Sequence, residues 1–155
     1  MHLSKNCARV QTYLDQFDIK LEVQELSQST RTAQEAADAV GCELGQIVKS
    51  LVFKSGQIPL LFLVSGKNQL NIKKVESILG MEIQKADADF AREQTGYPIG
   101  GVPPVAHEHP IDIFIDNDLM TYEEIWAAAG TPNAVFRIKS NDLPGITNGR
   151  IIEVK

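Results

Sequence analysis

The chain has 155 residues, 43% hydrophobic and 23% charged, with a formal net charge of −5 at pH 7. That size and balance fit one domain with one core, spanning residues 1–155, and argue against disorder. No apolar run approaches the roughly 20 residues of a membrane helix, and a net acidic chain is not built to coat nucleic-acid backbone, so any RNA contact is expected to be small and local.

The opening Met1-His2-Leu3-Ser4-Lys5-Asn6 is polar and then amphipathic, unlike a secretory signal. Val10, Leu14 and Phe17 share a helical face, which predicts a helix over 5–17. Leu21 to Glu25 alternates as a strand. Thr32-Ala33-Gln34-Glu35 is a capping box, and its Ala-rich helix should stop at Gly41. Ser50 to Phe53 and Pro59 to Val64 form the arms of a hairpin around Ser55-Gly56-Gln57. Asn71 caps a helix ended by Gly80, Met81 to Lys85 is a short strand, and Asp87 opens a helix ended by Gly96.

Tyr97 to Pro110 is the least regular stretch, holding adjacent glycines and four of the seven prolines. Ile111 to Ile115 reads as an interior strand. Thr121-Tyr122-Glu123-Glu124 reads as a second capping box, with a helix through Trp126 to Ala129 that stops at Gly130. Ala134 to Ile138 is a strand, and Asn148-Gly149 signals a hairpin turn into a last strand, Arg150 to Val154. The order mixes helices with hairpins and crossovers, which points to a mixed α/β domain on a curved sheet.

Several chemistries lack a motif. There is no G-x-S-x-G elbow, Walker loop or G-x-G-x-x-G. Cys7 and Cys42 make no metal-type pair and too few thiols for a disulfide framework, and read as reduced core thiols of a cytoplasmic protein. His107-Glu108-His109 has alternate imidazoles but no third ligand, so no metal is expected there; a metal-dependent hydrolase using His107 and His109 is a competing reading.

Three stretches, taken together, resemble the YbaK family of prolyl-tRNA synthetase-associated editing domains. They are Ser29 to Ala37 running on to Gln46-Ile47-Val48-Lys49-Ser50-Leu51-Val52-Phe53, then Thr95-Gly96-Tyr97-Pro98-Ile99-Gly100-Gly101-Val102-Pro103-Pro104, and Ile115-Asp116 followed by Ala128-Ala129-Gly130-Thr131-Pro132-Asn133. The resemblance implies an α/β fold with a mixed, mostly antiparallel, barrel-like sheet flanked by helices. It implies a free-standing deacylase that hydrolyses the ester of a mischarged tRNA, tRNA-Pro carrying a wrong small amino acid. Cysteine-selective members tend to carry a serine where this chain has Ala128-Ala129-Gly130, which argues against simple transfer of that specificity.

The same resemblance assigns candidate roles. Alone, Lys49 reads as a lysine ending a strand with its ammonium in water; the family match puts it in the editing pocket as an electrostatic catalytic group. Gly100 and Gly101 form a tight turn before Pro103-Pro104, and their bare backbone also suits close approach to an oxyanion. Ser50, Val102, Pro103, Gly130, Thr131, Asn133 and Asp116 are the candidate substrate-binding residues; Asp116 also fits turn chemistry within Asp116-Asn117-Asp118. Trp126 with Tyr122 and Ile125 reads as a core face before a base-stacking surface. Lys49, Lys67, Lys73 and Lys74 are candidates for a local basic patch. No nucleophile stands out, so hydrolysis assisted by the terminal ribose hydroxyl is the expected mechanism, without a cofactor. The partner is the 3′ aminoacyl end of a mischarged tRNA, together with a synthetase or elongation factor; a non-catalytic module binding the same RNA end or a protein is the alternative.

Overall fold

The computed structural model describes residues 3–155. Met1 and His2, where the polar opening was noted, lie outside the described residues.

Helix α1 (Lys5–Leu14) begins where Ser4 accepts from the Cys7 N–H, and it buries Cys7, Val10 and Leu14. A two-residue strand β1 (Gln24–Glu25) follows, and then α2 (Ala33–Val40), whose Thr32–Glu35 capping box is present in both directions and whose Gly41 cap is left-handed. Strands β2 (Val48–Ser55) and β3 (Ile58–Ser65) make the expected hairpin. Helix α3 (Ile72–Leu79), strand β4 (Gln84–Lys85) and helix α4 (Ala88–Thr95) come next. The chain closes with β5 (Asp112–Asp116), β6 (Glu124–Ala128), β7 (Ala134–Lys139), α5 (Leu143–Thr147) and β8 (Arg150–Ile152).

The strands form two sheets and do not close a barrel. One has the order β4-β2-β3-β5-β8: the β4–β2 and β2–β3 pairs are antiparallel, while β3–β5 and β5–β8 are parallel. The other, β1-β7-β6, is antiparallel. A parallel bridge from Ile47 to Trp126 joins them. Side chains alternate across the larger sheet. Val48, Leu61, Leu63 and Ile115 enter the main core with α1, whereas Phe53, Leu60, Phe62, Val64 and Phe114 pack toward α3. This alternation decides which way each residue of β2 points.

Two expectations from the sequence are corrected. Residues 121–129 are not an α-helix: Asn117–Thr121 is a short 3-10 helix, and Glu124–Ala128 is a strand paired with β7 along its whole length. The alanines favour helix, but burial of Ile125 and Ala127 at period two, against β7, outweighs that weak preference. Gly130 therefore caps no helix; it sits at φ +109 beyond β6, where a side chain would meet the backbone of Asn6. Asn148-Gly149 is likewise not a hairpin. Asn148 is the left-handed cap of α5, and β8 lies parallel to β5. Of the two thiols, Cys7 is buried in the core while Cys42 is half-buried at the edge of a smaller cluster.

Candidate functional site

A cavity of about 320 Å³ opens where the two sheets meet. Four consecutive β2 residues, Val48 to Leu51, line it, with the start of α2 (Thr32, Ala33, Ala36), the turn at Ile99-Gly100, Val102, and Trp126 to Ala128 of β6. Both faces of β2 contribute because the cavity looks onto the strand's edge. Strand β4 pairs only with Phe53 and Lys54, and the bridge from β6 meets the chain at Ile47, just before β2, so among the described residues the stretch around Ser50 has no partner strand on that side.

Lys49 lies opposite Val64 and so shares its face. It is half-buried, and its ammonium donates to the carbonyl of Asn68. Burial pushes its pKa below the ordinary lysine value, and the charge of Asp116 offsets part of that. The group is neither free in solvent nor locked in an ion pair. Ser50, opposite Leu63, points the other way into the main core. Its hydroxyl is buried and has no hydrogen-bond partner among the described residues, an unsatisfied polar atom at the cavity wall.

Pro98 to Gly101 is a β-turn closed by the Gly101 N–H on the Pro98 carbonyl at 3.0 Å. Gly100 takes φ +91, the left-handed third position of a type II turn. The Gly101 N–H is thereby committed to the turn. The Gly101 carbonyl accepts from Gly130 N–H at 2.9 Å, and a Cβ on Gly101 would lie 2.8 Å from the Thr131 backbone. Only Gly100 of the pair lines the cavity; Gly101 is where two loops press together.

The remaining sequence candidates separate into two groups. Val102 lines the cavity with Lys49, Ser50 and Gly100. Pro103, Gly130, Thr131, Asn133 and Asp116 stand outside its wall. The Pro103 carbonyl is bonded to His107 Nε2 at 2.7 Å. Thr131 donates to Asn133 at 2.7 Å, and Asn133 donates to the Leu26 carbonyl at 2.9 Å. The turn they form therefore braces the segment that leads into α2. Asp116 is fully buried and accepts from Ser65 N–H, Asn68 Nδ2 and Asp118 N–H at 3.0, 2.8 and 2.9 Å. It fixes Asn68, and through that residue the partner of Lys49.

Of the proposed basic patch, only Lys49 reaches the cavity. Lys74 pairs with Glu153 at 2.9 Å, and the Lys67 ammonium lies 5.4 Å from the centre of the Tyr122 ring. Two further cavity residues, Arg31 and Trp126, were not among the candidate site residues; the sequence reading placed Trp126 on a core face. Arg31 stands exposed at the rim. Trp126 is half-buried in the wall with Arg137 over its ring at 5.8 Å. Reading 121–129 with period two would have turned Trp126 away from Ile125 and out of the core.

A wider, shallower groove of about 760 Å³ runs between α1 and the 104–111 segment, where it holds His107 and His109 but none of the groups above. Burial pushes His107 below the usual histidine range, which favours the neutral ring. Among the described residues no group of three His, Cys, Asp or Glu is placed to hold a metal ion. None of their helices is long and apolar enough to cross a membrane.

Comparison with known proteins fits this architecture. A crystal structure described as a candidate trans-editing enzyme for prolyl tRNA synthetase superposes with a TM-score of 0.93 at 47% identity, covering 99% of both chains. The uncharacterized protein YwhH of Bacillus subtilis is 28% identical over 135 residues, 86% of each chain. A proline–tRNA ligase of Thermosipho melanesiensis is 38% identical over 78 residues, which are 50% of this chain but only 14% of the ligase. The profile of the family described as aminoacyl-tRNA editing domain matches residues 27–146, and the chain belongs to that family.

Proposed function

We propose that this protein is a trans-acting deacylase that hydrolyses the ester of tRNA-Pro carrying a wrong small amino acid. The observation that carries the reading is the cavity of about 320 Å³ in which Lys49, the open edge at Ser50 and the Gly100 turn meet. Its volume is at the low end of small-ligand sites, roughly 300–1,000 Å³. Ala33, Ala36, Ala127 and Ala128 with Val48, Val102 and Val135 give it a largely apolar wall. Such a wall selects by size. A missing methylene is worth only about 1–3 kcal/mol, which is why a synthetase needs a second, differently shaped site.

An aminoacyl ester is already activated, and no side chain in this cavity is placed as an obvious nucleophile. Water attacks the ester carbonyl, the new C–O bond forms, and the ester bond to the ribose breaks. The proton from water reaches the departing ribose oxygen by way of the neighbouring ribose hydroxyl. The protein supplies position, exclusion of bulk water and the field of the Lys49 ammonium. Among the described residues neither the Ile99 nor the Gly100 N–H makes a hydrogen bond, and the Gly100 N–H is a backbone donor of the turn available to a developing oxyanion.

The test is deacylation of tRNA-Pro charged in turn with alanine, cysteine, serine, threonine and proline, with enzyme in excess. Turnover of at least one small amino acid, with prolyl-tRNA spared, is the expected result. No turnover of any of them would leave a module that binds the aminoacyl end without cutting it.

A further inference from the structure

We propose that Arg31 is a positioning residue that holds the phosphate next to the terminal nucleoside of the substrate while the aminoacyl ester enters the cavity. This rests on the deacylase reading and adds to it a phosphate contact at the rim.

Among the arginines with visible partners, Arg9 pairs with Glu108 at 3.0 Å and covers the Tyr97 ring, and Arg137 pairs with Glu124 at 3.3 Å. Arg31 lines the cavity, is exposed, and among the described residues its guanidinium makes no hydrogen bond or ion pair. Its backbone, by contrast, is tightly held. Thr30 donates to the Pro132 carbonyl from its N–H at 2.6 Å and its hydroxyl at 3.0 Å. The Arg31 N–H donates to Ser29 Oγ at 3.2 Å. On the other side, Thr32 and Glu35 cap α2 reciprocally at 3.1 and 3.2 Å. A Cβ on Gly100 would come within 3.0 Å of Arg31 Cγ, so the arginine stem rests on the bare turn. The result is a fixed root, a supported stem and an unpaired charged fork beside the cavity.

The chemistry of the substrate selects the anion. In an aminoacyl ester the amino acid's carboxylate has been consumed, and the small neutral side chains in question carry no charge. The negative groups within reach of the rim are therefore phosphates of the RNA, which a guanidinium fork can hold through two hydrogen bonds. One cation at the rim of a chain of net charge −5 gives a local contact instead of a broad nucleic-acid surface.

The experiment compares wild type, Arg31→Ala, Arg31→Lys and, as a control on the exposed arginines, Arg92→Ala. Two substrates are used: a mischarged tRNA, and the 3′-aminoacyl adenosine that carries the same ester with no phosphate. Arg31→Ala should raise KM for the tRNA about tenfold with kcat within about twofold, and lower the slope of log(kcat/KM) against log[salt] by about one. Arg31→Lys should restore most of the slope, and Arg92→Ala should change neither. On the phosphate-free ester, Arg31→Ala and wild type should be equal. An unchanged KM and salt slope would overturn the proposal, and so would an equal loss on both substrates, since that would place Arg31 at the ester. A wild type inactive on every ester would sink the deacylase reading instead. Equilibrium binding of a non-hydrolysable amide-linked aminoacyl-RNA, read for the same change in salt slope, then decides the Arg31 contact by itself.

Discussion

Lys49 and Asp116 are tied to the two ends of one residue: the Lys49 ammonium donates to the Asn68 carbonyl, and the Asn68 side-chain amide donates to Asp116 at 2.8 Å. The buried carboxylate thus positions the cation at one remove, besides stabilising it by charge. The same Asn68 amide also reaches Asp118 at 2.8 Å, so its orientation is fixed twice.

Asp116→Asn should disturb both stability and rate. The carboxylate accepts three hydrogen bonds in a fully buried position. An amide placed there turns at least one donor against another donor. A loss of about 2 kcal/mol is expected in urea unfolding, with a fall in kcat/KM as Asn68 is released. A variant with wild-type stability would show that the network does not hold the loop.

The pH dependence has a definite sign. Folding lowers the Lys49 pKa, so between that value and the ordinary 10.5 the unfolded chain binds more protons. The penalty is complete below the folded pKa and relieved as pH rises toward 10.5. Wild type should therefore gain stability relative to Lys49→Met across that interval. Deacylation, corrected for spontaneous hydrolysis, should fall in the same interval, and Lys49→Arg should lack this alkaline limb. An identical alkaline limb in Lys49→Arg would assign the titration elsewhere.

The two glycines should behave differently. Gly101→Ala drives a methyl to 2.8 Å from the Thr131 backbone and should cost about 2 kcal/mol, the scale of overpacking. Gly100→Ala strains a left-handed residue at φ +91 and pushes on Arg31. It should cost about 1–2 kcal/mol and also raise KM for tRNA. Urea midpoints and tRNA kinetics on both variants separate a loop-packing glycine from one at the cavity.

Ser50→Ala removes the unpaired buried hydroxyl. The unfolding free energy in urea should hold or rise by up to about 1 kcal/mol, with an unchanged m-value. A loss larger than that would mean that the hydroxyl is satisfied in solution.

Much of this fold was legible because local signals agreed with tertiary demands. Thr32 and Glu35 cap α2 as their spacing required, and the Gly56 turn sets the β2–β3 register. The stretch 121–129 was not legible, because alanines at Ala127, Ala128 and Ala129 carry a helix preference that only the distant partner β7 overrides. Trp126 was grouped with Tyr122 and Ile125 for the same reason, whereas it packs against the smaller cluster of Ala36, Ala37 and Ile47. At the site, Lys49 and Gly100 were found through their motifs, and they do share one cavity. Arg31 lies in the first matching stretch but was given no role, because an arginine in a polar loop gives no sign in the sequence that its guanidinium will be unpaired or that a glycine turn from residue 100 will support it. Thr131 and Asn133 belong to a matching motif, yet their hydrogen bonds go to the protein itself.

The most direct measurement is single-turnover deacylation of a mischarged tRNA-Pro by wild type and Lys49→Ala, at saturating enzyme, with tRNA affinity measured in parallel. The rate should drop by about 10²-fold while affinity changes little, the size of loss that follows removal of one preorganised electrostatic contact. A Lys49→Ala variant that deacylates at the wild-type rate would contradict this role for Lys49.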